Sequence, residues 1–209
     1  MARIAVLDYG MGNLRSVAKA LERIGAETEV TADSDVARRA DGVVLPGVGA
    51  FPAAMRRLRD AGLDELVVER AEAGVPVLGI CLGLQLLFER SSELGGAEGL
   101  GLVRGEVTAL AAPGLKVPHM GWEPVRWERD SELINGLEPE TPFYFVHSFA
   151  VRPIEESDVV GTAEWGERFA CVIERPPLYG AQFHPEKSSV DGLRLLANFA
   201  RICSSIPAA

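Results

Sequence analysis

Residues Pro76–Glu89 read PVLGICLGLQLLFE. The run from Val75 to Ile80 is fully apolar and rich in branched residues, as a strand buried on both faces requires. Leu82–Arg90 continues in helical spacing, so the junction falls on Cys81, between Gly79 and Gly83. A strand that ends in Gly-x-Cys-x-Gly and enters a helix directly has the layout of a nucleophile elbow. In such a turn the central residue adopts a strained backbone, and side chains on its flanks would collide with neighbouring elements. The sulfur then stands at the positive end of a helix, where a thiolate is favoured. The N–H of Leu82 would face an oxyanion formed on a carbonyl attacked by that sulfur. The competing reading of Cys81 is a small buried hydrophobe, which suits Cys171 and Cys203 among their apolar neighbours.

The elbow implies a sheet around it, and the preceding residues supply one. Strands are expected at Arg3–Leu7, Glu27–Thr31 and Gly42–Leu45, alternating with helices at Asn13–Ile24 and Phe51–Ala73, the latter broken near Gly62. That alternation is the signature of a parallel α/β sheet. Beyond Ser91 the pattern changes to short strands between turn residues: Val103–Leu110, Val117–His119, Phe143–Val151, Val159–Ala163, Ala170–Ile173 and Gly180–Phe183. Asp191–Ile202 is amphipathic and reads as a closing helix. The expected fold class is α/β, a mostly parallel central sheet flanked by helices with additional antiparallel strands. Neither repeats nor a linker interrupt residues 1–209, so one domain is expected.

The totals narrow the function classes. With 47% hydrophobic and 24% charged residues the chain suits a soluble globular protein. A formal charge of −9 gives no basic footprint for nucleic acid. Its apolar stretches are all interrupted well short of the ~18 residues of a membrane span. Three cysteines without metal-type spacing, and a start whose early Asp8 does not suit a signal peptide, point to a reducing, cytoplasmic compartment. Neither a metal nor a cofactor is expected.

A thiolate in acyl transfer needs a base, and the base an orienting group. GAQFHPEKS places His184 just after an apolar strand, with Pro185 stiffening the link to Glu186. Proline disfavours helix at His184, so the segment stays extended or turns there, and the imidazole and carboxylate can pair. Gln85, four residues after Cys81, falls on the same face of the following helix. PGVG, Pro46–Gly49, follows the third strand; its glycines let main-chain N–H groups approach an anion. By chemistry alone, a Cys-His-Glu site serves a peptidase or another hydrolase equally well.

Taken together, PGVG, GICLGLQLLFE and FHPE resemble, in order and spacing, the class I (triad) glutamine amidotransferase family, and the resemblance covers nearly the whole chain. It implies that family's flavodoxin-like fold and a glutaminase whose triad is Cys81, His184 and Glu186. It puts Gly47, Val48 and Leu82 around the oxyanion hole and Gly49, Gln85, His147 and Ser148 near L-glutamine. DYGMGNLRSV, KVPHMGW, YFVHSF and FHPEKS resemble the branch that serves histidine biosynthesis, although Glu123 stands where that branch usually has Asn. The implied partner is a separate cyclase subunit of (βα)8-barrel type, forming a heterodimer, with Asn13 and Lys187 at the interface. On the residues alone Asn13 is a helix cap, Lys187 a solvated lysine and His119 structural or interface-lining rather than catalytic. The runner-up branches are the glutaminase subunits of pyridoxal phosphate or anthranilate synthesis. From another class, DYGMGN invites a dinucleotide-binding reading, but Arg15 occupies the position of the third glycine.

Overall fold

A computed structural model describes residues 1–205. β1 (Arg3–Leu7) leads through α1 (Leu14–Arg23) to β2 (Glu27–Thr31), and α2 (Ser34–Arg38) leads to β3 (Gly42–Gly47). Helices α3 (Phe51–Asp60) and α4 (Leu63–Glu72) precede β4 (Val77–Cys81), which α5 (Leu82–Leu86) continues without a loop. Short strands β5 (Phe88–Ser91) and β6 (Ala97–Glu98) are followed by β7 (Val103–Ala109), β8 (His119–Trp127), β9 (Thr141–His147) and β10 (Phe149–Pro153). The strands β11 (Val159–Trp165), β12 (Glu167–Arg175) and β13 (Leu178–Ala181) come next, and α6 (Ser189–Ser205) closes the described chain.

The sheet runs β2-β1-β3-β4-β13-β12-β10-β7-β5-β6, with β11 joining β12 to β8 and β8 pairing β9. From β2 to β13 neighbouring strands are parallel; β12, β10 and β7 then continue antiparallel. Period-two alternation sorts the side chains into two cores. On β1, Ile4 and Val6 face a core shared with Val17 and Leu21 of α1 and with Leu195 and Phe199 of α6. Ala5 and Leu7 face the other, with Leu58 of α3, Leu66 of α4 and Leu84 of α5. Central strands buried on both faces explain why β3 and β4 read as unbroken apolar runs.

Several expected elements differ from the observed ones. The helix expected over Leu82–Arg90 ends at Leu86 and turns into β5. The main-chain N–H groups of Leu100, Leu102, Val103 and Gly101 bond the carbonyls of Leu86, Leu87 and Phe88, so the acceptors a longer helix would use face another segment. Val117–His119 is only the entrance to β8, and Phe143–Val151 is two strands, β9 and β10, broken at Ser148. The short helix α2 was not expected; Asp33 caps it, accepting hydrogen bonds from the Asp35 and Val36 N–H groups. The break between α3 and α4 falls at Gly62, as expected, with φ +66°.

Candidate active site

Cys81 is the last residue of β4 and directly precedes α5, with φ 54° and ψ −110°. For a residue with a side chain this conformation costs on the order of 1–3 kcal/mol, which the surrounding packing must hold in place. Both flanking glycines are required by close approach. A Cβ on Gly83 would lie 1.7 Å from the Leu45 carbonyl oxygen of β3, and one on Gly79 2.6 Å from the Leu84 nitrogen. The first lets α5 settle on the neighbouring strand, and the second lets it fold back over its own. The turn therefore presents Cys81 at the carboxyl ends of β3 and β4, where Gly47 is its register partner.

His184 arrives from the end of β13, more than a hundred residues along the chain. It is extended, with φ −100° and ψ 94°, and Pro185–Lys187 forms a single 3-10 turn after it. That turn brings Glu186 back under the imidazole, with Oε1 2.9 Å from Nδ1. Both side chains are almost fully buried. Ser188 anchors the loop from behind: its hydroxyl donates to the His184 carbonyl at 2.7 Å and accepts from the Tyr144 N–H at 3.0 Å. Burial alone would disfavour the imidazolium, but hydrogen bonding to the Cys81 and Glu186 side chains and their negative charge outweigh it. The His184 pKa is raised well above its ordinary 6.5.

A cleft of about 260 Å3 opens over the sulfur, lined by residues that include Val48, Gly49, Leu82, Gln85, Glu93 and Ser148. His147 and Lys187 also reach its wall. The fold thus gathers Cys81, His184, Leu82, Val48, Gly49, Gln85, His147 and Ser148 at one site, with Glu186 behind His184 and Gly47 beside Cys81. A larger hollow elsewhere, of about 920 Å3 between Trp127 and Glu174, is lined by neither a cysteine nor a histidine. His147 meets the cleft with both ring nitrogens already engaged. Nδ1 donates to the Phe149 carbonyl at 2.8 Å, and Nε2 lies 3.1 Å from His119 Nδ1. Burial, chiefly, lowers the pKa of each to about 4, so both are neutral at pH 7.

Some contributors were not singled out in the sequence. Gln182, fully buried, points its Nε2 at the Cys81 sulfur from 3.7 Å. Tyr9 donates its hydroxyl to the Pro46 carbonyl at 2.6 Å, which ties β1 to the start of PGVG. Burial first, and the Cys81 charge second, push that phenol well above its usual 10. Glu93 holds the Phe51 N–H at 2.7 Å and borders the cleft. A polar residue inside an apolar strand end is the signal that marks Gln182 in GAQFHPE; Glu93 lies in a glycine-rich segment with no such signal. The glycines of DYGMGN pack against Arg57 and Pro46 rather than around an open groove.

Asn13 stands at the cap position of α1, but its side chain makes no capping hydrogen bond; its carbonyl receives the Ser16 and Val17 N–H groups instead. Lys187 is exposed and its Nζ sits 6.0 Å from the centre of the Tyr144 ring. Tyr144 meets Trp122 edge-on, and Met120 and Trp122 are 60% and 51% exposed on the same strand. An apolar, cation-bearing rim thus adjoins the cleft.

A cysteine elbow over a parallel sheet with a buried His-Glu pair is the arrangement of a triad amidotransferase, and the chain belongs to that family. The model of glutamine amidotransferase class-I matches residues 5–203. Among similar proteins, "Imidazole glycerol phosphate synthase subunit HisH" of Moorella thermoacetica is 55% identical over 202 residues, 97% of this chain and 96% of its own. The protein of the same name from Aquifex aeolicus is 50% identical over 200 residues, covering 95% and 96%. Solved structures share the fold at low identity. PurLQS from Thermotoga maritima matches with a TM-score of 0.76 at 20% identity, covering 97% of this chain and 99% of that one. A putative GMP synthase subunit from Thermoplasma acidophilum gives 0.74 at 22%, covering 98% and 95%.

Proposed function

We infer that the chain is the glutaminase subunit of an imidazole glycerol phosphate synthase. It hydrolyses L-glutamine to glutamate and ammonia and supplies the ammonia to a partner cyclase subunit in histidine biosynthesis. The shared name of the relatives favours this branch over pyridoxal phosphate or anthranilate synthesis. The single observation that carries the chemistry is Cys81 at positive φ, facing an imidazole whose Nδ1 is held 2.9 Å from a buried carboxylate.

In this reading the Cys81 thiolate attacks the glutamine carboxamide carbon, and the carbonyl electrons move onto oxygen. The N–H of Leu82 and main-chain groups near Gly47 and Val48 receive that oxyanion. As the C–N bond breaks, His184 gives its proton to the departing ammonia, and Glu186 stabilises the imidazolium beforehand. Neutral His184 then takes a proton from water, which attacks the glutamyl thioester and releases glutamate and the thiolate. Gln85, Gly49 and Ser148 border the substrate. His147 acts as a wall of the site, since its ring nitrogens already have partners. Glu93 supplies a negative group suited to the substrate α-ammonium.

We propose one domain over residues 1–209 and a heterodimer with a cyclase of (βα)8-barrel type. That partner docks on the rim of Met120, Trp122, Tyr144 and Lys187, with Asn13 at its edge, and the pair works in the cytoplasm. The described helices include none long and apolar enough to cross a membrane. The test is Cys81→Ala in the complex. Glutamine-dependent synthesis should vanish while added ammonia still supports the cyclase; retained glutamine hydrolysis would refute the nucleophile.

A further inference from the structure

We propose that Gln182 is a catalytic residue of this site, donating an amide N–H to the Cys81 sulfur and thereby favouring the thiolate over the thiol. The proposal rests on the glutaminase reading of Cys81. Gln182 follows β13, two residues before His184, and is completely buried. A primary amide removed from water must place its oxygen and N–H groups against matching partners.

The neighbouring contacts fix which end of the amide faces sulfur. The Phe149 carbonyl can only accept, so Gln85 must present its nitrogen there, at 3.0 Å. The same nitrogen lies 3.1 Å from Gln182 Oε1, which takes its second N–H. Gln182 is thereby obliged to turn Nε2 toward Cys81 Sγ, at 3.7 Å. Reversing the amide would set an oxygen against the sulfur and two donors against each other. The five-residue α5 makes this donor more important, because a long helix behind the sulfur is absent.

A hydrogen bond to an ionised acceptor is about twice as strong as one to its neutral form. Its contribution is therefore largest while charge resides on sulfur. It weakens as the S–C bond forms and the charge passes to the carboxamide oxygen. It returns when the S–C bond of the thioester breaks, and Gln182 keeps its own protons throughout.

The test is the pH dependence of Cys81 alkylation by iodoacetamide in the full chain, followed by mass spectrometry. Sulfur displaces iodide without forming an oxyanion, so the rate reads the thiolate alone. Cys171 and Cys203 are buried and their thiols are pushed up, to about 12 for Cys203, so they do not compete at neutral pH. Gln182→Met should move the midpoint upward by about one unit. An unchanged midpoint would overturn the proposal. Unmodified chain provides a second measurement that does not depend on the variant folding. The Gln182 side-chain amide resonance should shift with the alkylation midpoint and again on alkylation, and a resonance indifferent to both overturns the idea. Protection of Cys81 by glutamine, read on the same unmodified chain, checks the glutaminase reading separately.

Discussion

All three histidines of the chain lie within two neighbouring buried pairs, and the pairs are tuned in opposite directions. His184 faces a carboxylate and a sulfur, and the charged partners hold a proton on it despite burial. His147 and His119 face each other and aromatic rings; among the described residues no carboxylate lies within hydrogen-bond distance, and burial keeps both neutral. The nearest acid, Glu123, stands 3.9 Å from His119 Nε2, and its own pKa is raised by burial and by Glu164. Depth is similar for the two pairs, so the partner decides the role: the first pair can move protons, and the second builds the wall. His119, stacked between Phe145 at 5.0 Å and Trp165 at 4.4 Å, steadies His147, which pins the kink where β9 passes into β10.

The comparison can be broken most forcefully at Glu186. Glu186→Gln keeps the shape but removes the charge that orients and stabilises the imidazolium. We expect kcat for glutamine to fall by about two to four orders of magnitude while ammonia-dependent synthesis is retained. Steady-state rates of the complex with each nitrogen source measure this. His119→Phe keeps the stacking surface but strands His147 Nε2 without a donor. Stability should drop by about 1–3 kcal/mol in urea unfolding, with a much smaller change in kcat than Glu186→Gln gives.

The neutral pair also predicts acid sensitivity. Folded His119 and His147 titrate near 4 and the unfolded imidazoles near 6.5, so between those values the unfolded state binds more protons. Their contribution to stability is fully present above about pH 6.5 and is lost as pH falls toward 4. Urea midpoints across that range should fall less in His119→Phe than in the unmodified chain. The smallest effect is expected from Glu123→Gln. A partly exposed carboxyl too far from His119 for a hydrogen bond should change stability by no more than about 0.5 kcal/mol.

What the sequence disclosed tracks how local the cause is. The elbow was legible because Gly79 and Gly83 answer to contacts within one strand-to-helix turn and the strand beside it. The parallel half was legible because strands buried on both faces carry continuous apolar runs. β8 was not: of its nine residues only His119 and Val125 are buried, and HMGWEPVRW includes a proline and two charges. It is a strand because β9 pairs with it from His119 to Val125, a cause outside its own residues. The early end of α5 has the same kind of origin, since residues 100–103 take its carbonyls. His184 and Glu186 stood out as a pair, whereas the neutral His119–His147 contact joins residues 28 apart and left no local pattern.

Histidine side-chain 15N NMR of the full chain separates the two pairs in one experiment, because three imidazoles give a spectrum that can be fully assigned. At pH 7 one imidazolium, His184, and two neutral rings are expected, with the His184 charge diminished in Cys81→Ala. A neutral His184 that titrates near 6.5 regardless of Cys81 would contradict that expectation.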